Sequence, residues 1–176
     1  MRLFSALWPP PGAVAALTRA LDGAPSPLPD GARRADPSTW HVTLCFHGDD
    51  DPDARAATLD IALAGAVAPR LRIAGTGTFP GVLWAGVEER DGPAAGALAD
   101  LAARAGATGP RPYLPHVTLA RWDRRRGDAT VGGDGIAAGP WWTPGEAVLV
   151  RSEPGARYTV LHRVPLRPGM PDRTPG

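Results

Sequence analysis

Apolar runs of strand length recur along the chain, at residues 2–8 (RLFSALW), 40–46 (WHVTLCF), 71–79 (LRIAGTGTF), 82–89 (VLWAGVEE), 116–121 (HVTLAR), 147–153 (AVLVRSE) and 158–166 (YTVLHRVPL). Gly, Pro or Asp punctuate most of them, as expected of strands separated by turns. Between them the apolar period lengthens to that of a helix. Val14, Leu17 and Leu21 fall at helical spacing, with Pro11 suited to a first turn and Gly23 to the stop. Asp51 is the expected N-cap of a second helix, with Pro52 at its first position and Pro69 beyond its end, bracketing roughly four turns. Ala94, Leu98, Leu101, Ala102 and Ala105 make the stripe of a third, closed by Gly106. Both of these helices are Ala-rich, so their packing faces are shallow. Residues 123–135 and 167–176 carry too few apolar side chains to order themselves.

The succession strand, helix and strand ends in HVTL at 41–44, and the same tetrapeptide closes a second such succession at 116–119. Chance repetition in a chain this short is on the order of one in a few hundred at ordinary residue frequencies. The pattern is that of a duplicated α+β unit: a bilobal fold of two antiparallel sheets with helices on their outer faces and equivalent residues meeting at a central cleft, where ligands tend to bind. Residues 1–166 are expected to form one domain with pseudo-twofold halves, and 167–176 a flexible C-terminal tail.

In each motif the residues i and i+2 share a strand face. Val42 and Leu44, like Val117 and Leu119, turn to the core. His41 with Thr43, and His116 with Thr118, turn the other way, imidazole and hydroxyl about 7 Å apart. A single histidine in a strand is more often a hydrogen-bonded structural residue than a catalyst. Duplication with a threonine shifts the weight, because threonine hydroxyls donate to phosphate oxygens and two opposed imidazoles supply an acid and a base near neutral pH.

Composition narrows the setting. With 176 residues and 43% apolar side chains the chain can bury a core of its own. Its single cysteine, Cys45, excludes an intramolecular disulfide and suits a reducing cytoplasm, where a buried thiol acts as a small hydrophobe. No run is long enough to span a membrane, and the N-terminal apolar run, cut by three prolines, does not read as a signal peptide. A cytoplasmic monomer without membrane contact is expected. The net charge of +1 does not announce a nucleic-acid partner. All 19 basic residues are arginine, a bias that a GC-rich genome produces, although arginine also suits bidentate phosphate binding.

The motifs resemble those of the 2H phosphoesterase superfamily, defined by two H-x-T-x motifs, and specifically its bacterial RNA 2′,3′-cyclic phosphodiesterases, also called 2′-5′ RNA ligases. RLFSALWPP, WHVTLCFHGD, GTFPGVLWAGVEE, PYLPHVTLAR and LVRSEPGARYTVLHRVPL follow that branch in order and spacing up to about residue 166. The resemblance implies hydrolysis of RNA 2′,3′-cyclic phosphate ends to 2′-phosphomonoesters, with no metal and no cofactor, acting on RNA ends or small cyclic nucleotides. It implies His41 as proton donor and His116 as proton acceptor, and Thr43 and Thr118 as phosphate ligands. The chemistry alone requires one acid and one base without saying which is which. Ligation of the same ends through a 2′-5′ linkage, and nucleotide binding without turnover, are the alternatives.

Two further residues follow from the motifs. Arg121 lies five residues after His116 and points to the other face of a regular strand; a bulge or strand end is needed to turn it inward, and the family pattern favours substrate contact. Phe46, five after His41, has the same parity problem and reads either as core or as a platform stacking on a nucleobase. His47 departs from the family pattern, which has an aliphatic residue there, and reads as a solvent-exposed strand end; His162 reads as a surface or edge residue. The acidic run at 49–53 lacks calcium-loop spacing and fits a helix start. Trp84, Trp141 and Trp142 read as packing residues, with a base platform as the alternative. Arg111 and the arginines at 124–126 offer an electrostatic path for an RNA backbone or, for the latter, a solvated loop.

Overall fold

The computed structural model describes residues 2–23, 28, 30–110, 112–126, 136–155 and 157–169. Its elements in chain order are β1 (Arg2–Leu7), α1 (Pro11–Asp22), β2 (Arg33–Arg34), β3 (Val42–Gly48), α2 (Pro52–Ala62), β4 (Leu71–Phe79), β5 (Val82–Glu89), α3 (Ala97–Arg104), β6 (His116–Arg121), β7 (Glu146–Glu153) and β8 (Arg157–Pro165). Short 3-10 turns occupy Pro37–Thr39 and Arg124–Arg126.

The strands form two four-stranded antiparallel sheets, ordered β3-β1-β7-β8 and β2-β6-β5-β4. This is the expected α+β architecture. The halves interleave, however. β2, from the first half, edges the second sheet, and the hairpin β7–β8 completes the first. The helices cross over too: α1, which follows β1, packs against β4, whereas α3, which follows β5, packs against β3. One hydrophobic cluster therefore runs through both sheets and all three helices, from Leu3, Leu17 and Val42 to Leu59, Leu101 and Val117. A smaller cluster of Phe4, Ala6, Val148 and Val150 covers the opposite face of β1 and β7. Burying apolar residues on both faces is why β1 reads as an almost unbroken apolar run.

Two helices are shorter than their apolar pattern suggests, each for a local reason. Asp51 caps α2 as expected, accepting from the Ala54 N–H at 2.8 Å. The helix nevertheless ends at Ala62 rather than after four turns, because Leu63 and Ala66 dive into the core around Gly65, at φ 67°. α3 begins only at Ala97. Its cap comes from another element, since the Glu89 carboxylate at the end of β5 accepts from the N–H groups of Gly96 and Leu98, both at 3.1 Å. A carboxylate at a helix N-terminus satisfies unpaired donors and complements the helix dipole.

Arg167 opens the segment expected to be a tail. Its N–H donates to Ala66 and its carbonyl accepts from Ala68, both at 2.8 Å; residues 170–176 lie outside the described residues. Among the described residues no helix is long and apolar enough to cross a membrane.

Candidate active site

The two motifs lie on strands of different sheets, and β3 approaches β6 along the seam between them. The aliphatic residues Val42, Leu44, Val117 and Leu119 are buried, as their parity requires, while His41, Thr43, His116 and Thr118 are half-buried. Both strands then break their alternation at the same motif position. The β1–β3 ladder pairs Ala6 with Thr43 and Ser5 with Cys45, so Leu44 is an extra residue. The β5–β6 ladder pairs Trp84 with Thr118 and Leu83 with Ala120, so Leu119 is extra. A one-residue bulge reverses which face later side chains occupy. Leu44 and Cys45 are accordingly both buried, and so are Leu119 and Ala120.

These bulges resolve the parity of the residues five positions after each histidine. Arg121 pairs with Val82, two residues from Trp84, and thus shares the face of Thr118, with Nη2 3.5 Å from the Thr118 hydroxyl oxygen. Phe46 pairs with Phe4 on the His41 face and is 73% exposed, so the core reading of Phe46 does not hold. Phe46 and Arg121 are equivalents in the pseudo-symmetry, one apolar and one cationic.

The histidines are held alike. His41 Nδ1 lies 2.7 Å from the Thr39 carbonyl and His116 Nδ1 2.8 Å from the Leu114 carbonyl, each two residues upstream. A carbonyl only accepts, so Nδ1 carries the proton in both rings and Nε2 is left for chemistry. Aromatic rings fix each imidazole: Phe4, Trp8 and Tyr158 surround His41 with centroids at 4.8, 5.4 and 5.2 Å, and Phe79 and Trp84 flank His116 at 5.2 and 6.1 Å. Trp84 reaches this position because it crosses Gly77 on β4, where an added Cβ would lie 2.1 Å from its ring. Burial pushes the pKa of His41 below the ordinary histidine value; the hydrogen bond to Thr39 opposes this, and the charges of Arg121 and His116 add to it.

A cleft of about 930 Å³ opens here, lined by His41, Thr118, Arg121 and, around them, Trp8, Tyr158 and a group of arginines from β2 and β8. The seam is tied by Tyr113, whose hydroxyl donates to the Thr43 carbonyl at 2.7 Å. Tyr113 precedes His116 by three residues, so one side chain links the second motif's approach to the first motif's strand. Burial raises its pKa, so it remains a donor at neutral pH.

This arrangement bears on ancestry when set beside known proteins. The family model of the 2′-5′ RNA ligase superfamily matches residues 7–131, a span that contains both H-x-T motifs. The chain belongs to the 2′-5′ RNA ligase superfamily. Among solved structures of similar fold, TT0787 of Thermus thermophilus is 30% identical, with a TM-score of 0.67 over 96% of this chain and 99% of that one. LigT of E. coli, crystallised in complex with NADP+, is 23% identical, with a TM-score of 0.66 over 94% of this chain and 97% of its own. A protein described as a phosphoesterase is 24% identical over 94% of this chain and 98% of its own, with a TM-score of 0.66. No curated protein matches significantly by sequence.

Within this superfamily member, several residues weighed from sequence lie away from the cleft. His47, at a second bulge of β3, places Nε2 3.2 Å from the hydroxyl of the fully buried Ser5, and burial lowers its pKa; it is a strand-end residue turned inward, not a solvent-exposed one. His162 lies 2.7 Å from Asp60 on α2, far along the chain from either motif. In the acidic run, Asp51 caps α2 and Asp50 pairs with Arg55, whose Nε lies at 2.8 Å. Trp142 is buried and bridges to Leu71, and Trp141 carries Arg72 over its ring at 4.6 Å. Arg111 lies outside the described residues. The residues that sequence reasoning passed over are Trp8, Phe79, Tyr158, Tyr113 and β2. For Trp8 there was a signal, since Phe4, Ala6 and Trp8 alternate onto one face. A two-residue strand of arginines leaves none.

Proposed function

We propose that the protein hydrolyses 2′,3′-cyclic phosphate ends of RNA to 2′-phosphomonoesters. The observation that carries this reading is the matched pair of imidazoles, each with Nδ1 bound to a carbonyl, Nε2 available and a threonine two residues on. In the proposed step water attacks phosphorus in line with the departing ribose 3′ oxygen. One imidazole takes the proton from the water and the other donates a proton to the 3′ oxygen as the P–O bond breaks. The products are a 3′-hydroxyl and a 2′-phosphate. Thr43 and Thr118 donate to the non-bridging oxygens, where charge builds up, and Arg121, beside Thr118, adds a positive charge there. Phe46 offers an exposed ring for the terminal base. Acid, base and anion-binding groups all come from the chain.

His41 is the proposed acid and His116 the proposed base, on the family resemblance. In the free protein the lowered pKa of His41 favours its neutral form. A bound phosphate places negative charge beside it and favours the imidazolium, so the acid is charged by its own substrate. The E. coli LigT complexes with NADP+ and 3′-AMP support a nucleotide ligand for this fold.

The test is hydrolysis of a short RNA ending in a 2′,3′-cyclic phosphate, with EDTA present, by the wild type, His41→Ala and His116→Ala. Both variants are expected to lose activity by about 100-fold or more, and the wild-type product is expected to be the 2′-phosphate. Full activity in either variant refutes the two-histidine step. Joining of the end to an added 5′-hydroxyl strand identifies ligation instead, and nucleotide binding without turnover identifies a binding module.

A further inference from the structure

β2 consists of Arg33 and Arg34 alone, and its pairing with β6 sets Arg33 directly opposite Arg121. Like charges facing each other across an antiparallel ladder are destabilising. Such a pair is normally relieved by a carboxylate, and none relieves this one: among the described residues Arg33, Arg34, Arg121 and Arg157 make no ion pair. Among the described residues, the cleft they line holds two acidic residues. Asp36 is engaged by the N–H and hydroxyl of Ser38 at 2.8 and 2.6 Å, and Glu153 lies 3.4 Å from Arg151. Four exposed guanidinium groups thus line the cleft beside His41 against two carboxylates; Glu153 stands opposite Arg157 in the β7–β8 ladder, whereas Arg33 and Arg121 face each other.

One anion does not use them all. Arg121 reaches Thr118 and belongs to the reacting phosphate. Arg33 stands one strand further out, about 4.8 Å in the sheet direction, and among the described residues no hydrogen bond joins it to Thr118, so it is free to meet a second anion. We propose that Arg33, facing Arg121 across the β2–β6 ladder, forms a second anion site that takes the phosphate on the 5′ oxygen of the terminal nucleoside. The inference rests on the cyclic-phosphate reading of the site and deepens it: the protein selects ends that carry this second phosphate over bare nucleoside cyclic phosphates. In RNA that phosphate is the last internucleotide link. In a mononucleotide it is a 5′-phosphate.

The experiment compares kcat/KM for adenosine 2′,3′-cyclic phosphate, its 5′-phosphorylated form and the dinucleotide ApA 2′,3′-cyclic phosphate, for the wild type, Arg33→Ala and Arg33→Glu. In the wild type the second phosphate is expected to raise kcat/KM about tenfold or more, the scale of one charge-assisted contact. In Arg33→Ala that preference collapses toward one, and in Arg33→Glu it inverts. A dinucleotide gain matched by the 5′-phosphorylated mononucleotide assigns the site to the phosphate itself. A gain confined to the dinucleotide, and insensitive to Arg33, overturns the inference and assigns selection to the second base. A wild type without preference also overturns it.

Binding of the corresponding 2′-phosphorylated products, followed by calorimetry, separates the two readings. If no substrate is hydrolysed but Arg33→Ala still erases the binding preference, the hydrolytic reading fails and the anion site stands. If hydrolysis proceeds and Arg33→Ala leaves both preferences intact, the anion site fails alone. Thermal unfolding of each variant confirms that the exposed substitutions leave the fold in place.

Discussion

Replacing Tyr113 with Phe tests whether the two motif strands are held in register by a single hydroxyl. β3 is an edge strand, so its outer backbone groups have no strand partner, and the Tyr113 hydroxyl takes up the Thr43 carbonyl at 2.7 Å. Phe preserves the ring that packs against the core and removes only the donor. The loss is that of one neutral hydrogen bond, about 1 kcal/mol, rising to about 3 kcal/mol if the carbonyl stays dry at the seam. For a domain of this size each kcal/mol lowers Tm by roughly 2–4 °C, so a fall of about 2–12 °C is expected in calorimetry. Because Thr43 carries the proposed phosphate contact on the same residue, slippage of β3 against β6 separates the two halves of the site. Misplacement by about 1 Å costs on the order of 100-fold in rate; a partial slip is expected to lower kcat about tenfold. The shape of the pH profile should not move, since neither imidazole loses a partner. A destabilised variant with wild-type kcat would show that the tether serves the fold and not the site. An undisturbed Tm would show that the hydroxyl contributes nothing at the seam.

Three other perturbations follow from the same geometry. Because the folded protein lowers the pKa of His41, the unfolded chain binds more protons, so stability is full above about pH 6.5 and falls as pH drops through the folded value; urea unfolding should show this slope, and His41→Ala should reduce it, leaving the part that His47 contributes with the same sign. Inorganic phosphate should shift the His41 titration upward in NMR spectra. Gly77→Ala should displace the Trp84 ring, costing about 1–3 kcal/mol in thermal unfolding, and should lower kcat by loosening the support of His116.

The strands and the two motifs were legible because they obey local rules. Alternation places Val42 and Leu44, or Val117 and Leu119, inside, and the observed strands begin and end within two residues of the apolar runs. The first helix matches its spacing and its Pro and Gly signals, and Asp51 caps the second as its position suggests. The third helix was overextended because its N-terminus is set by Glu89, a cap supplied from a neighbouring strand. Phe46 and Arg121 show the same limit at the site. Strict alternation sends both to the wrong face, and only the ladders with β1 and β5 reveal the extra residue at Leu44 and Leu119 that turns them back.

By itself the sequence determined the α+β class, the duplicated motif, and the four residues whose chemistry suits a phosphate, since these depend on residue type and on a period of two. Tertiary structure decided which face the fifth residue takes, that Tyr113 bridges the seam, and that Arg33 stands opposite Arg121. Each of those depends on pairing between segments distant in the chain. A bulge or a two-residue strand exists only against its partner, and no single segment carries a record of it.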